Sequence, residues 1–422
     1  MEGVTDMVRR QVWGALALMG LAGCGVDTEV ALGEQHQGLE TPTNVALNKP
    51  ATSYSQYDAS HPASRAVDGN TSTGWASGYA SYAGQSLSVD LQGAFDVSSL
   101  QLVLSWGDSS PAAKAFEIQA WNGGCWQTVP GTAVTNNTSV NVTFTLASTV
   151  RAEKLRFVCL DTGGNCWLRE LRAMAVPATA PAPALSCPAG IQTAVRHPAH
   201  AYALFLPKDY NLSRTQRWPL IIALHGIGGY TLNTNDHTQV AASPEGLANQ
   251  FLNSNFRDTF QGIVVSPNYH KPGGTGSAWF QAPTIAALLQ SMKEDYLVDL
   301  DRVYLTGLSG GGNFTWEFGA ANPGLFSGLV PIAATNTPVN MTNLCNLATM
   351  PIWAFNGALD GSAGPDTSTA AKTKLDTQCS VAASAMQTTA IPNAGHSGAT
   401  WDTAYAMPSL YTWLFNQRLS NR

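Results

Sequence analysis

From residue 189 onward the chain carries short apolar runs with little polar interruption: "PLIIALHG", "GIVVSP", "RVYLTG", "LVPIAA" and "PIWAFNG". Strands buried on both faces read this way, because neither face needs water-compatible side chains. Between these runs, "TIAALLQSMKEDYL" places Ile285, Leu288, Leu289, Met292 and Tyr296 on one helical face, and "MPSLYTWLFNQRL" closes the chain with a second amphipathic segment. Strands alternating with helices predict a mainly parallel sheet covered on both sides over residues 189–422. Residues 44–176 follow another period. "QSLSVDL", "SLQLVLSW", "AFEIQAW", "SVNVTFTL" and "KLRFVCL" alternate apolar with polar positions and are separated by Gly, Asn, Asp and Ser, which predicts an all-β sandwich or barrel. Between Met174 and Pro188, "MAVPATAPAPALSCP" has neither period and favours extended conformations, so residues 177–188 read as a linker.

Composition narrows the compartment and the partners. A chain of 422 residues exceeds one ordinary core and suits two or three domains. With 44% hydrophobic and 12% charged residues, a net charge of −6 and no Lys/Arg run, it offers no electrostatic footprint for nucleic acid or an anionic membrane surface. The first 24 residues carry a short basic region (Arg9, Arg10), an apolar stretch from Val12 to Ala22, and then Leu21-Ala22-Gly23-Cys24. The apolar stretch is too short to span a membrane as a mature helix. "LAGC" resembles the bacterial lipobox, which implies cleavage and lipidation at Cys24, a polar tether over residues 25–43, and a lipid-anchored protein of the cell envelope or extracellular space. Membrane contact is expected only through that anchor, and the protein is expected to be a monomer. Setting Cys24 aside leaves six of the seven cysteines, an even number in an oxidising compartment. Cys345 with Cys379 is the expected pair; Cys125, Cys159, Cys166 and Cys187 leave three connectivities open. No C-x-x-C pair or H-E-x-x-H occurs to suggest a transition-metal site.

The candidate chemistry centres on "LTGLSGGGNF". Glycines at 307, 310, 311 and 312 around a serine would weaken an ordinary strand or helix, so they signal a geometric demand. With "RVYL" as a strand and "GGGNFTWEFGA" as a helix, Ser309 falls in G-x-S-x-G at a strand-to-helix turn, where strain exposes the hydroxyl as a nucleophile. A serine needs a histidine base and an acid that orients it. In the order Ser, acid, His, "PIWAFNGALDG" offers Asp360 after a strand and "QTTAIPNAGHSG" offers His396 in a Gly-bounded loop; Asp366 and Asp402 compete as the acid. "LIIALHGIGG" ends a strand with an H-G-x-x-G loop, so Ile227 or Gly228 is the expected oxyanion donor beside the N–H of Gly310. His225 is expected to brace that loop, and His197, His200, His237 and His270 to lie at the surface. No cofactor is expected for the catalysis.

Two resemblances extend the reading. "YALFLPKDYN", "PLIIALHGIGG", "VVSPNY", "DRVYLTGLSGGGNFTWEFGAANPGLFSGLVPIAA", "IWAFNGALD" and "AGHSGATWDTAY" look like the secreted α/β-hydrolase esterases of the feruloyl/acetyl-xylan esterase and polyhydroxyalkanoate depolymerase-like group, which also contains predicted peptidases. The resemblance implies an α/β-hydrolase fold with nucleophile Ser309, acid Asp360 and base His396; relatives commonly have histidine where this chain has Asn356. "NVALNKPATSYSQYDASHPASRAVDGNTSTGWASGYAS" and "EKLRFVCLDTGGNCWLRELRAMAV" resemble the two ends of coagulation factor 5/8 type C (discoidin-like) domains. That implies a jelly-roll sandwich which binds carbohydrate through loops at one end. Tyr79, Tyr82 and Trp167 are then candidate sugar platforms, helped by His61 and Arg65, while Trp75 and Trp106 belong to the core. It also implies a structural calcium ion near Asp68, Asn70, Thr73 and Glu170, with a plain Asp-Gly turn as the other reading. The combined expectation is an ester hydrolase tethered to polysaccharide, against a polyester depolymerase, a serine peptidase, or a lectin-like surface protein with an inert second half.

Overall fold

The computed structural model describes residues 40–78, 84–105, 113–161, 165–196, 201–227, 245–268, 280–335, 338–379 and 385–422. The strands of the first half are β1 (Thr43–Asn44), β2 (Ala51–Ser53), β3 (Trp75–Ala76), β4 (Ser86–Val103), β5 (Phe116–Trp121), β6 (Trp126–Thr128), β7 (Asn141–Cys159), β8 (Trp167–Leu168) and β9 (Glu170–Pro177). Seven of them form an antiparallel sheet in the order β1-β9-β4-β7-β5-β6, with β2 also on β4, and β3 pairs with β8. Leu87, Val89 and Leu91 face the core on alternate positions of β4 and Phe157 and Leu155 meet them from β7, as the sequence period requires. The sequence pattern read β4 as two strands and β7 as two more. In the structure each is continuous, because register shifts between Asp90/Phe95 and between Val97/Ser99 bend the pair without ending it. A bulge of this kind changes the phase of the alternation and so looks like a boundary in the sequence.

In the second half, β10 (Gln192–Val195), β11 (Tyr202–Phe205), β12 (Trp218–Leu224), β13 (Ile263–Pro267), β14 (Val298–Leu308), β15 (Gly328–Ile332), β16 (Ile352–Gly357) and β17 (Met386–Ile391) make a sheet in the order β10-β11-β13-β12-β14-β15-β16-β17. The six strands from β12 to β17 run parallel, and β10 and β11 add an antiparallel edge. Every residue of β12 and of β15 is buried, so these strands have no polar face to alternate. The helices are α1 (Leu247–Gln250), α2 (Ser254–Arg257), α3 (Ala282–Asp295), α4 (Gly310–Ala321), α5 (Pro365–Gln378), α6 (Gly398–Tyr405) and α7 (Pro408–Phe415). Ile285, Leu288, Leu289 and Met292 of α3 are buried on the face anticipated for them. Parallel strands direct all their C-terminal ends to one edge, and the loops leaving β12, β14, β16 and β17 carry His225, Ser309, Asp360 and His396.

The linker does not leave the two halves independent: Thr41–Arg422 form one compact unit. Disulfide Cys125–Cys187 ties the sandwich to the end of the Pro/Ala run, while Cys159–Cys166 and Cys345–Cys379 close loops within their own halves. The Tyr210 hydroxyl donates to the Gly124 carbonyl at 2.6 Å and accepts from the Leu297 N–H at 2.9 Å. The Trp121 indole donates to the Asp295 carbonyl at 3.0 Å. Arg156 donates to both carboxylate oxygens of Asp295, at 2.9 and 3.1 Å, while its guanidinium lies 3.9 Å from the Trp126 ring centroid.

Asp295 is 7% exposed, so deleting its partner strands a buried charge. Arg156→Ala should lower the unfolding free energy by about 3–5 kcal/mol, whereas Arg156→Met with Asp295→Leu should recover most of it. Urea unfolding of the three proteins checks this; a loss below about 1 kcal/mol would put the pair with ordinary surface bridges.

Candidate active site

β14 ends at Leu308 and α4 begins at Gly310, which leaves Ser309 alone at the turn with φ 52° and ψ −116°. A residue with a side chain held there stores about 1–3 kcal/mol of strain. The close approach of strand and helix explains the glycines: a Cβ on Gly307 would strike the Gly311 carbonyl, and one on Gly311 would lie 2.6 Å from the carbonyl oxygens of Leu224 and His225. The strained residue is held by backbone bonds, its N–H donating to Ile332 at 2.9 Å and its carbonyl accepting from Asn313 at 3.0 Å.

The structure brings Ser309, His396 and Asp360 together. The Ser309 hydroxyl lies 2.9 Å from His396 Nε2, and His396 Nδ1 donates to Asp360 Oδ2 at 2.7 Å. Asp360 Oδ1 accepts from the N–H groups of Ser362 and Ala363, each at 2.8 Å. A buried carboxylate with three donors stays an acceptor, and it thereby fixes the imidazole tautomer that presents a lone pair to the serine. Asp366 instead sits in the first turn of α5, and Asp402 lies in α6 with its carboxyl raised by burial. Asn356 secures the acid loop: its side chain donates to the Ala363 carbonyl at 2.7 Å and accepts from Ser368 at 2.6 Å.

The loop after β12 reaches the Ser309 turn at Gly226, where a Cβ would lie 3.4 Å from that of Ser309; Gly228 lies outside the described residues, as do His197, His200, His237 and His270. His225 Nδ1 donates to the Gly226 carbonyl at 2.6 Å, so this histidine braces the loop as expected for it. Burial drives its pKa down to about 4, against the opposing effect of that hydrogen bond. Gly226 N–H donates to Glu245 at 2.9 Å, a partner that no motif singles out because it meets the loop only across the fold. Gly310 N–H, at the first turn of α4, is a free helix donor by position.

At one end of the sandwich, His61, Arg65, Thr73, Trp167 and Arg169 line a cleft of about 330 Å³. His61 packs edge-on against Trp167 at 4.7 Å between centroids and bonds Asp58 at 2.7 Å, which holds the Asp58 carboxyl below its usual range. Trp167 is only 8% exposed and serves as floor; the exposed ring here is Tyr57, 6.3 Å from it. Tyr57 and Arg169 were not among the sequence candidates, although an aromatic residue in the Ser/Asp-rich stretch "SYSQYDAS" was the signal for the first. Tyr79, Tyr82 and Trp106 fall outside the described residues, and Trp75 is fully buried in the core.

Residues 50–171 match the family model for the F5/8 type C domain. They form an F5/8 type C domain. The family 32 CBM from C. perfringens NanJ in complex with galactose is 28% identical, over 32% of this chain and 97% of that one, with a TM-score of 0.28. Poly(3-hydroxyalkanoate) depolymerase C of Paucimonas lemoignei is 29% identical over 124 residues, which span 27% of this chain and 27% of that protein. The crystal structure of a thermostable esterase is 17% identical, covering 79% of this chain and 96% of that one with a TM-score of 0.40.

Within the F5/8 type C domain, the residues expected around calcium are gathered. Asp68 accepts from Asn70 N–H at 2.8 Å and from the Thr73 hydroxyl at 2.7 Å, and Asn70 accepts from Ser72 N–H at 3.0 Å. Glu170 is fully buried, and neither carboxylate oxygen has a hydrogen-bond partner; the nearest cation, Arg172 Nε, is 3.6 Å away. Burial raises the Glu170 carboxyl above its ordinary range, Arg172 opposes this, and Asp68 adds to it. A buried carboxylate with a second acid beside it and a single arginine at 3.6 Å has the hard oxygen groups that suit a divalent cation.

His225 supplies a pH dependence of stability. Its folded pKa, about 4, lies below the unfolded 6.5, so the unfolded chain binds the proton first as pH falls. The contribution is complete above pH 6.5, declines between 6.5 and 4, and is gone below that. Across this window the parent should lose about 3 kcal/mol more unfolding free energy than His225→Asn. Parallel pH curves for the two proteins would rule out a neutral buried His225.

Proposed function

We propose that the chain is a secreted or surface-anchored serine carboxylic ester hydrolase of the α/β-hydrolase fold, acting on acyl esters of polysaccharides such as feruloyl or acetyl groups. The observation that carries this reading is the continuous relay from the exposed, strained Ser309 through His396 to Asp360. Ser309 Oγ attacks the ester carbon as its proton passes to His396 Nε2, and the carbonyl electron pair moves onto oxygen. Gly310 N–H and the oxyanion loop, through Ile227 or Gly228, hold that oxyanion. Its collapse expels the alcohol, which takes the proton back from His396, and water then cleaves the acyl-enzyme by the same steps.

The sandwich supports the choice of a polysaccharide ester. His61, Arg65 and Trp167, with Tyr57 and Arg169, combine ring faces with hydrogen-bonding groups, which suits a sugar. Glu170, Asp68, Asn70 and Thr73 would hold a structural calcium ion, and Cys24 would carry the lipid anchor. A polyester substrate is the second reading, favoured by Ile227 in the loop after β12 and Leu359 next to Asp360 in sequence, which are 64% and 70% exposed.

Ser309→Ala should lower kcat on p-nitrophenyl acetate by about 10⁴-fold or more, since nucleophile and base act as a unit. A panel of methyl ferulate, acetylated xylan, emulsified poly(3-hydroxybutyrate) and a peptide amide separates the substrate classes; a variant within tenfold of the parent would remove Ser309 as nucleophile. Chelation by EDTA should lower the thermal midpoint while leaving turnover on the soluble ester intact, and Trp167→Ala should weaken retention on polysaccharide with the same turnover. Ester hydrolysis that stops with EDTA at a temperature where the protein remains folded would contradict a metal-free site.

A further inference from the structure

Gly226 stands between two peptide units, and each is held by a different side chain. Glu245 Oε2 accepts the Gly226 N–H at 2.9 Å, which fixes the unit joining His225 to Gly226. His225 Nδ1 donates to the Gly226 carbonyl at 2.6 Å, which fixes the unit joining Gly226 to Ile227. A peptide unit is planar and trans, so its carbonyl and N–H point in opposite directions as one rigid body. Holding the Gly226 carbonyl therefore aims the Ile227 N–H. Glycine is the residue whose backbone rotates most freely, so without both holds this direction is poorly defined.

Glu245 is itself registered against the nucleophile. The next residue, Gly246, has φ +67°, and a Cβ there would lie 2.6 Å from Leu308 Cδ2, the side chain immediately before Ser309. Gly246 therefore packs directly against the side chain preceding Ser309, which places the backbone next to Glu245 beside that strand end. Burial raises the Glu245 carboxyl above its ordinary range and Asp402 adds to this, while Tyr405 is the other titratable group facing the pair. Neutral or ionised, the carboxyl keeps an oxygen that accepts the Gly226 N–H.

We infer that Glu245 is a positioning residue of the oxyanion hole: it fixes the peptide unit before Gly226 while His225 fixes the unit after it, and the two holds together direct the Ile227 N–H to the oxygen that becomes negative when Ser309 attacks. This rests on the ester-hydrolase reading above. It separates Glu245 from the groups that touch substrate: its loss should weaken transition-state binding and leave ground-state binding alone.

The test uses the full chain on a matched pair of soluble substrates, an ester and its thionoester with C=S in place of C=O. Sulfur is a larger and weaker acceptor, so a well-aimed hole discriminates against it. Glu245→Ala should lower kcat on the ester by about 10–100-fold, less than the about 10²–10³ for deleting a donor outright, with KM within about twofold. The ester-to-thionoester ratio should fall with it. Glu245→Gln, which retains an acceptor oxygen, should stay within about threefold of the parent. Should the alanine variant not fold, Glu245→Asp, one methylene too short to reach Gly226, should give the same reduced ratio. An unchanged ratio in a folded Ala or Asp variant, or a Gln variant as impaired as Ala, overturns the inference. A parent that does not discriminate, or whose turnover survives Ser309→Ala, instead fails the ester-hydrolase reading and the inference with it.

Discussion

The left-handed backbone of Ser309 is the constraint to which the surrounding structure answers. A residue with a side chain occupies φ 52° only if its neighbours leave it no relaxed alternative, and here the enclosure is tight. The strand before it cannot retreat, because β14 lies between β12 and β15 with Leu224↔Gly307 and Leu308↔Ile332 in register. The helix after it cannot rise, because Gly311 rests on the carbonyls of Leu224 and His225. α4 is buried on nearly every side, from Phe314, Thr315 and Trp316 to Phe318, Gly319 and Ala320, so its position is set by the core and not by its own end. The strain is thus supported by packing energy accumulated well away from the hydroxyl it exposes.

The same sheet explains why the parts of the site arrive in chain order. Each parallel strand delivers its following loop to the same edge, so the loops after β12, β14, β16 and β17 bring His225, Ser309, Asp360 and His396 there in chain order. Asn356 acts on the same edge through its hydrogen bonds: its amide both donates and accepts, and the Asp360 loop is closed onto α5 through Ala363 and Ser368.

What could be read from sequence was local or periodic. Ser309, Asp360 and His396 each follow an apolar run in a turn rich in glycine, so strand position alone brought them forward. Paired carboxylates in neighbouring loops are harder: Asp360 and Asp366 differ in sequence only by a few residues, and helix α5 begins between them, turning Asp366 away from the histidine. Glu245 left no trace, since its role comes from a carboxylate meeting a backbone N–H across the fold. The cysteine pairs of the first half were likewise open, because four cysteines with no turn between them that forces proximity admit three connectivities. The Pro/Ala run was legible as an extended connector, but the Tyr210, Trp121 and Arg156 contacts that draw the two halves together involve residues spread from 121 to 297.

The described residues bury three carboxylates, and the three are satisfied in different ways. Asp360 receives two backbone N–H groups and an imidazole, so its negative charge is stabilised by fixed dipoles and remains available to a developing imidazolium. Asp295 receives a full positive charge, one Arg156 nitrogen reaching both of its oxygens; its work is cohesion between sheet and sandwich. Glu170 has only Arg172 Nε at 3.6 Å, and burial raises its carboxyl against that opposing charge. A buried acid held so loosely costs the fold more than one met by close donors. Partner type therefore separates roles that burial alone would treat alike: fixed dipoles and an imidazole for Asp360, an arginine from the sandwich for Asp295, and only a loosely placed arginine for Glu170.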